Sequence, residues 1–322
     1  MGSQLALFPG TMPPEVPVAC VAPALREEPL PAQASAQQMG LFDAQVRRLR
    51  AALDAVAMAD LPAASALLAD VTPEFDPVVT SMRQRVVEIS HALQRVEALS
   101  PPAQVTANLE LGRRLAVEIE PWSSLGRALV ARVARGLGPA EGTLAGLLFV
   151  EAGDLQRARN ALQAVPDLAH AAGALFALGD VESRLASKPA ARRYYRDALL
   201  LDPFDGAFDC VFDEEVRGLP DIAELEVEIE GDPRAWSAPV GIVAAVLPRP
   251  HGPVRELPLP ADCHGEPLVA LVKAREFVDA LVRAGAPDVQ NNRDAVLDER
   301  RCMKRASRAL FAWYLARQVG AS

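Results

Sequence analysis

Residues 172–205, AGALFALGDVESRLASKPAARRYYRDALLLDPFD, decide the fold. Leu175, Leu178 and Gly179, then Ala191, Tyr195 and Ala198, follow one another at steps of three and four, the spacing of one helix face after another. Small residues at Gly179, Ala191 and Ala198 let two helices approach closely, an aromatic at Tyr195 fills the gap between them, and Pro203 ends the pair. The stretch before it repeats the pattern. Gly146, Phe149, Ala158 and Leu162 recur as Gly179, Glu182, Ala191 and Tyr195, a shift of 33 residues. Self-similarity at this period marks stacked helix pairs, each too small to bury its apolar face alone.

The same residues resemble a tetratricopeptide repeat. Leu175, Leu178 and Gly179 stand at that family's large, Leu and Gly positions, and Ala191, Tyr195, Ala198 and Pro203 at its small, aromatic, small and Pro positions. Glu182 departs from the usual aromatic, and Pro166 interrupts the closing pattern of the earlier copy. The likeness is firm over 172–205, fair over 140–171 and general over 42–139. It implies an α-hairpin solenoid whose concave face binds a partner's peptide. With Asn160 only at a hairpin edge and few Lys or Asn on the first helices, a carboxylate clamp of the chaperone kind is not expected.

Working outward, Asp43 is a cap for a helix carrying Val46, Leu49, Ala52, Leu53 and Val56. Asp60 opens a second through Ala64, Leu67 and Leu68. A third runs from about Pro77 to Leu99 with Val79, Met82, Val86, Ile89, Leu93 and Val96 on one face. Two more follow, over about 103–119 and 122–136. None of this shows a strand period. Residues 1–41, rich in Pro, Ala and Gln, read as a flexible tail. Residues 42–218 read as the helical-repeat domain, and 219–322 as a C-terminal segment with a Pro-rich loop at 248–267 and helices at about 268–284 and 293–318. Leu225, Val227 and Ile229 alternate with glutamates, which fits an edge strand or a solvated helix. Gly241 to Leu247 is a short buried run. The final helix buries Leu297, Leu310 and Tyr314.

Half of the 322 residues are hydrophobic and 23% are charged, enough to bury a core, while 5% aromatics is thin for a β-sandwich. A net charge of −9 argues against a general nucleic-acid coat or a protein held to anionic membranes. Charge is unevenly spread. Residues 205–232 hold eleven acidic groups and one Arg, whereas 293–317 carry seven cations against three acids. The expected reading is that the two stretches pair within one domain or are each solvated; the alternative is that the basic helix touches DNA phosphate while the acidic stretch repels it elsewhere. The four cysteines are scattered and no apolar run reaches membrane-spanning length, so a cytoplasmic protein is expected.

Two linear motifs stand in the tail. Gln4-Leu5-Ala6-Leu7-Phe8 resembles the peptide by which bacterial replication and repair proteins dock on the DNA sliding clamp. That likeness implies that Gln4 hydrogen-bonds in a small pocket while Leu7 and Phe8, with Leu5 beside them, fill an apolar cleft. Gln38, Leu41 and Phe42 repeat the spacing. Asp262-Cys263-His264-Gly265-Glu266 is the one cluster of reactive side chains, but neighbouring residues point apart and no second cluster completes a metal site. The phosphate-binding loop, the dinucleotide fingerprint and the nucleophile elbow are absent. The expectation is an all-α, non-enzymatic interaction adaptor or scaffold, with no catalytic residue, cofactor or metal. Its partners are proteins, the sliding clamp first among them, with no direct nucleic-acid contact and no membrane. The alternatives are a repeat scaffold in an unrelated bacterial complex and an enzyme with a site near Cys263 and His264.

Overall fold

A computed structural model of the protein describes residues 32–72, 77–254 and 256–320, with side chains over 43–72, 78–254 and 256–318. The described chain is all-α, and no β-strand occurs among the described residues. Its described residues divide into two units, one up to Arg47 and the other from Arg48 onward. In the first, the backbone is helical from Ala32, where α1 (Ala32–Ala57) begins, and Arg47 Nε donates to the Asp43 carbonyl at 3.2 Å. The helix therefore starts eleven residues before Asp43, the cap that the sequence reading expected. After Pro31 no proline occurs until Pro62, and the Ala, Gln and Met residues between are good helix formers.

In the second unit the C-terminal part of α1 pairs with α2 (Leu61–Ala69), where Asp60 Oδ1 caps by accepting from Ala63 N at 3.0 Å. Then comes α3 (Pro77–Glu97), burying Val79, Met82, Val86 and Ile89 on the expected face. The pair α4 (Pro101–Ala116) and α5 (Trp122–Gly136) crosses backbone to backbone. A Cβ on Gly126 would lie 2.3 Å from Ala116 N and 2.5 Å from the Gly112 carbonyl oxygen, so only glycine fits. Next are α6 (Gly142–Glu151) with α7 (Leu155–Gln163), then α8 (Ala172–Arg184) with α9 (Lys188–Leu201). Consecutive pairs pack on each other, α5 on α6, α7 on α8, and α6 on α8.

Three hairpins, α1–α2, α6–α7 and α8–α9, close through one turn. The amide of the residue before the second helix reaches back five positions: Asp60 N to Ala55 O at 2.9 Å, Asp154 N to Phe149 O at 2.9 Å, Ser187 N to Glu182 O at 2.8 Å. The residue before it is left-handed in each, with φ 61° at Ala59, 79° at Gly153 and 60° at Ala186. This is the way a helix ends when its last carbonyls are satisfied by a reversal of the chain.

The C-terminal segment continues with short α10 (Glu214–Arg217) and α11 (Leu219–Asp221), a widened turn at Ile222–Glu226, and α12 (Ser237–Val243). An irregular loop leads to α13 (Glu266–Ala284), short α14 (Pro287–Gln290), α15 (Arg293–Ala306) and α16 (Arg308–Gly320). Of the two readings of Leu225, Val227 and Ile229, the strand is excluded, because Leu225 lies in the widened helical turn and is exposed. The single final helix is likewise corrected to two. Ser307 takes an extended conformation (φ −151°, ψ 121°), and its Oγ accepts from Leu310 N at 3.1 Å, ending α15 and capping α16. The break resets the buried face, so Met303, Ala306 and Leu310 are buried and Leu297 is 39% exposed. One apolar cluster runs from Ala172 in α8 to Leu310 in α16, across the expected boundary at 218/219.

Candidate functional site

The helix-pair interfaces are built from three side chains at fixed spacing. Ala52, Ala64 and Leu68 in α1–α2 correspond to Gly146, Ala158 and Leu162 in α6–α7, and to Gly179, Ala191 and Tyr195 in α8–α9. Ala64, Ala158 and Ala191 are all fully buried. A Cβ on Gly146 would sit 2.4 Å from Leu162 Cγ, and one on Gly179 would sit 2.3 Å from Tyr195 Cε1, so each large residue occupies the space its glycine leaves. Sequence reading found the last two sets and missed the first. Its signal, a small residue followed by Ala twelve positions on and a large residue four later, was present, but alanine stands where the other copies have glycine.

Around Tyr195 the interface is polar as well as tight. Its hydroxyl donates to Asp180 Oδ1 at 2.7 Å and lies 3.3 Å from Ser183 Oγ, and burial pushes its pKa up. Asp180 also accepts from Phe212 N at 2.8 Å, and burial outweighs these bonds to hold its carboxyl above the ordinary value. Glu182, at the position of the missing aromatic, is buried and receives Arg159 Nη2 from α7 at 2.7 Å. An ion pair thus links α7 to α8 where the resemblance expected a ring.

The face of α8 is covered by the chain itself. Phe176 stacks on Phe208 with centroids 5.7 Å apart, the Phe212 amide is held by Asp180, and Arg184 lies 5.2 Å over the Phe212 ring. On α6, by contrast, Leu144 and Leu147 stay exposed.

Arg275 of α13 fastens the C-terminal segment to α9. It is 2% exposed, and its guanidinium donates to the carbonyls of Leu200 (2.8 Å), Leu201 (2.9 Å), Leu257 (2.7 Å) and Pro258 (3.0 Å). Two orphan carbonyls at the end of α9 and two in the Pro-rich loop are satisfied by one side chain. One helical turn on, Asp279 Oδ1 accepts from Val254 N at 2.7 Å, pinning the same loop. Sequence reading passed over both residues, because four backbone acceptors leave no motif.

Among the described residues no ion pair joins the acidic stretch to the basic final helices, which leaves the reading in which they are not paired with each other. Asp213 and Glu215 take Arg192 of α9, Glu215 also takes Lys188 at 2.9 Å, and Asp209 takes Arg234 at 2.5 Å. In the last helices, Arg283 of α13 holds Glu299 at 2.8 Å and Arg301 holds Asp298 at 2.8 Å. Arg305 and Arg308, on either side of the split at Ser307, line a cleft of about 510 Å³ together with Glu228, Glu230 and Glu266.

Cys263 is buried, with burial first and Asp202 and Asp232 next pushing its thiol up, which disfavours the nucleophilic thiolate; His264 beside it is exposed. No group of three His, Cys, Asp or Glu side chains suited to a metal ion occurs among the described residues. Gln4, Leu5, Leu7 and Phe8 lie outside the described residues. The backbone carrying Gln38, Leu41 and Phe42 is helical within α1. No helix among the described residues is long and apolar enough to cross a membrane. Comparison with protein-family models, with curated proteins and with solved structures returns no match for this chain.

Proposed function

We propose that this protein is a non-enzymatic adaptor built on tetratricopeptide-like helical repeats, and that Gln4, Leu7 and Phe8 dock it on the bacterial DNA sliding clamp. The observation that carries the adaptor reading is the hairpin that recurs three times with one turn and one set of small, Ala and large positions at the helix crossing. A chain that spends its regularity on stacking identical pairs presents extended surface, which is the usual work of such arrays. Gly112 against Leu129, 3.3 Å from a Cβ built on that glycine, supplies a related crossing in α4–α5. The exposed Leu144 and Leu147 on α6 then belong to the face open to a partner. The clamp assignment rests on the Gln4-Leu5-Ala6-Leu7-Phe8 peptide.

The test is binding of the purified full chain to the clamp of the same organism, beside the Leu7→Ala/Phe8→Ala double variant and a chain lacking 1–42. Micromolar-range binding by the full chain, lost in both altered forms, is the expected result. Binding that survives the double variant overturns the docking site, and no binding by the full chain overturns the clamp as partner.

A further inference from the structure

Two fields of opposite charge lie on the surface of the second unit, and each includes an exposed leucine. On α15, Arg293, Leu297, Arg300, Arg301 and Lys304 are exposed and follow one another at the spacing of one helix face. Leu297 is 39% exposed among these cations. Over 221–230, Asp221, Glu224, Glu226, Glu228 and Glu230 are exposed, and Leu225 between them is 76% exposed. Ala223 and Val227 of the same stretch are buried, so the acidic segment is anchored to the core while its charges stay in solvent.

Neither field is neutralised within the chain. Those five carboxylates make no ion pair among the described residues, and neither do Arg293, Arg300 and Lys304. Arg301 holds Asp298 at 2.8 Å, but both side chains are exposed and the pair is local, so water and salt weaken it. Arg300 with Lys304, and Arg301 with Arg305, stand four apart on one helix, where like charges repel. The two fields also adjoin. Glu228 and Glu230 line the cleft at Ser307 together with Arg305 and Arg308, and so does Val269 of α13, which is 53% exposed.

A positive area beside a negative one is complementary to a second copy of itself. A half turn about an axis through their boundary lays positive on negative twice over. DNA phosphate on the basic field would meet repulsion from the acidic one, and an acidic protein would leave the acidic field unmatched. A second copy matches both. Leu225, Val269 and Leu297 add apolar surface to the same region.

We infer that two copies of this chain join through this surface as a two-fold dimer. Arg293, Arg300 and Lys304 of each copy lie on Asp221, Glu224 and Glu226 of the other. The dimer is separate from the clamp-docking peptide and stands or falls independently of it.

The experiment is sedimentation equilibrium of the full-length chain from about 1 μM to about 100 μM, a range that covers micromolar dimers. A dimer is expected in about 0.1 M salt. Its dissociation constant should rise at least about tenfold in about 1 M salt, where the Debye length falls from about 10 Å to about 3 Å. Arg300→Glu/Lys304→Glu and Glu224→Lys/Glu226→Lys change exposed side chains, and each should be monomeric. Their equimolar mixture should dimerise again, because each reversed field then meets its opposite. If a reversal fails to fold, Arg300→Gln/Lys304→Gln and Glu224→Gln/Glu226→Gln take its place, and each must weaken the dimer at least about tenfold. A chain that is monomeric throughout, a dimer unmoved by these changes, or a mixture of folded reversals that stays monomeric overturns the inference. So does a monomer that binds double-stranded DNA and loses it in Arg300→Glu/Lys304→Glu, which would assign the basic field to nucleic acid.

Discussion

At Gly179 the absence of one methyl group sets how closely two helices pack. Tyr195 fills that space and is fixed there by Asp180 and Ser183, so its ring has nowhere to go when a Cβ appears 2.3 Å away. Gly146 meets Leu162 at a similar distance, but Leu162 makes no polar bond and can change rotamer. Gly179→Ala is therefore expected to cost about 2–3 kcal/mol and Gly146→Ala under about 1.5 kcal/mol, read as midpoints of urea unfolding. Equal costs would show that the tyrosine's hydrogen bonds do not restrain it. Asp180 gives a pH test. Burial raises its carboxyl in the folded state above the unfolded value, so its contribution to stability is complete in acid and is lost as pH rises through the folded pKa. Asp180→Asn keeps an acceptor for the Phe212 amide without the buried charge. Its stability relative to the parent should improve between about pH 3 and pH 7; a difference that stays flat or reverses would assign the charged form a net favourable role. At this scale the sequence was readable where one residue type has one steric use, as with Gly179 and Tyr195. It was silent on Arg275, whose four acceptors are backbone carbonyls that any residue carries.

Among elements, the shared turn makes the hairpins comparable. Ala186 at φ 60° carries a Cβ in a region where it crowds the backbone, while Gly153 in the equivalent turn, at φ 79°, does not. Ala186→Gly should raise stability by about 0.5–1 kcal/mol, since relief of crowding exceeds the added freedom of the unfolded chain. Gly153→Ala should lower it by about 1 kcal/mol, since the nearest atom to its Cβ is 3.9 Å away and only the dihedral resists. Thermal unfolding of the two variants checks both signs; a gain from Gly153→Ala would remove the turn as a common device. Helix existence was legible for the longer elements, where three- and four-residue spacing survives, but not for short α10, α11, α12 and α14, which hold too few turns to show a period. Boundaries were less so. The break at Ser307 contains neither Pro nor Gly and depends on one hydroxyl turning back to an amide, an option open to many serines inside helices. The early start of α1 follows from weak propensities summed over eleven residues, which a reading keyed to caps and prolines passes over. The charged stretches were visible, but their partners were not, since pairing depends on which faces the intervening helices present.

For the molecule as a whole, the question is whether the repeat hairpins and the C-terminal segment are separate domains. The sequence places a boundary at 218/219, where the repeat pattern stops. In the fold, Tyr195, Leu199 and Leu200 of α9 share one apolar cluster with Trp236, Phe277 and Leu310, and Arg275 reaches across to the last carbonyls of α9. If the hairpins form a repeat array as proposed, its end needs covering, and the C-terminal helices packed on α9 would supply the cover. Arg275→Met keeps the length of the side chain and removes every donor, stranding four carbonyls, two of which end α9. The expected loss is about 3–5 kcal/mol. Trp122 lies in the core shared by α1 to α5, and Trp236 in the C-terminal core, so the two report different ends of this unit. With single-tryptophan proteins the substitution should lower both unfolding midpoints by the same amount, because consecutive pairs from α4 to α9 pack without a gap. A fall at Trp236 with Trp122 unmoved would mean that the C-terminal core melts alone. The boundary at 218/219 would then be a true thermodynamic division, with Arg275 a fastening of one domain rather than of the whole.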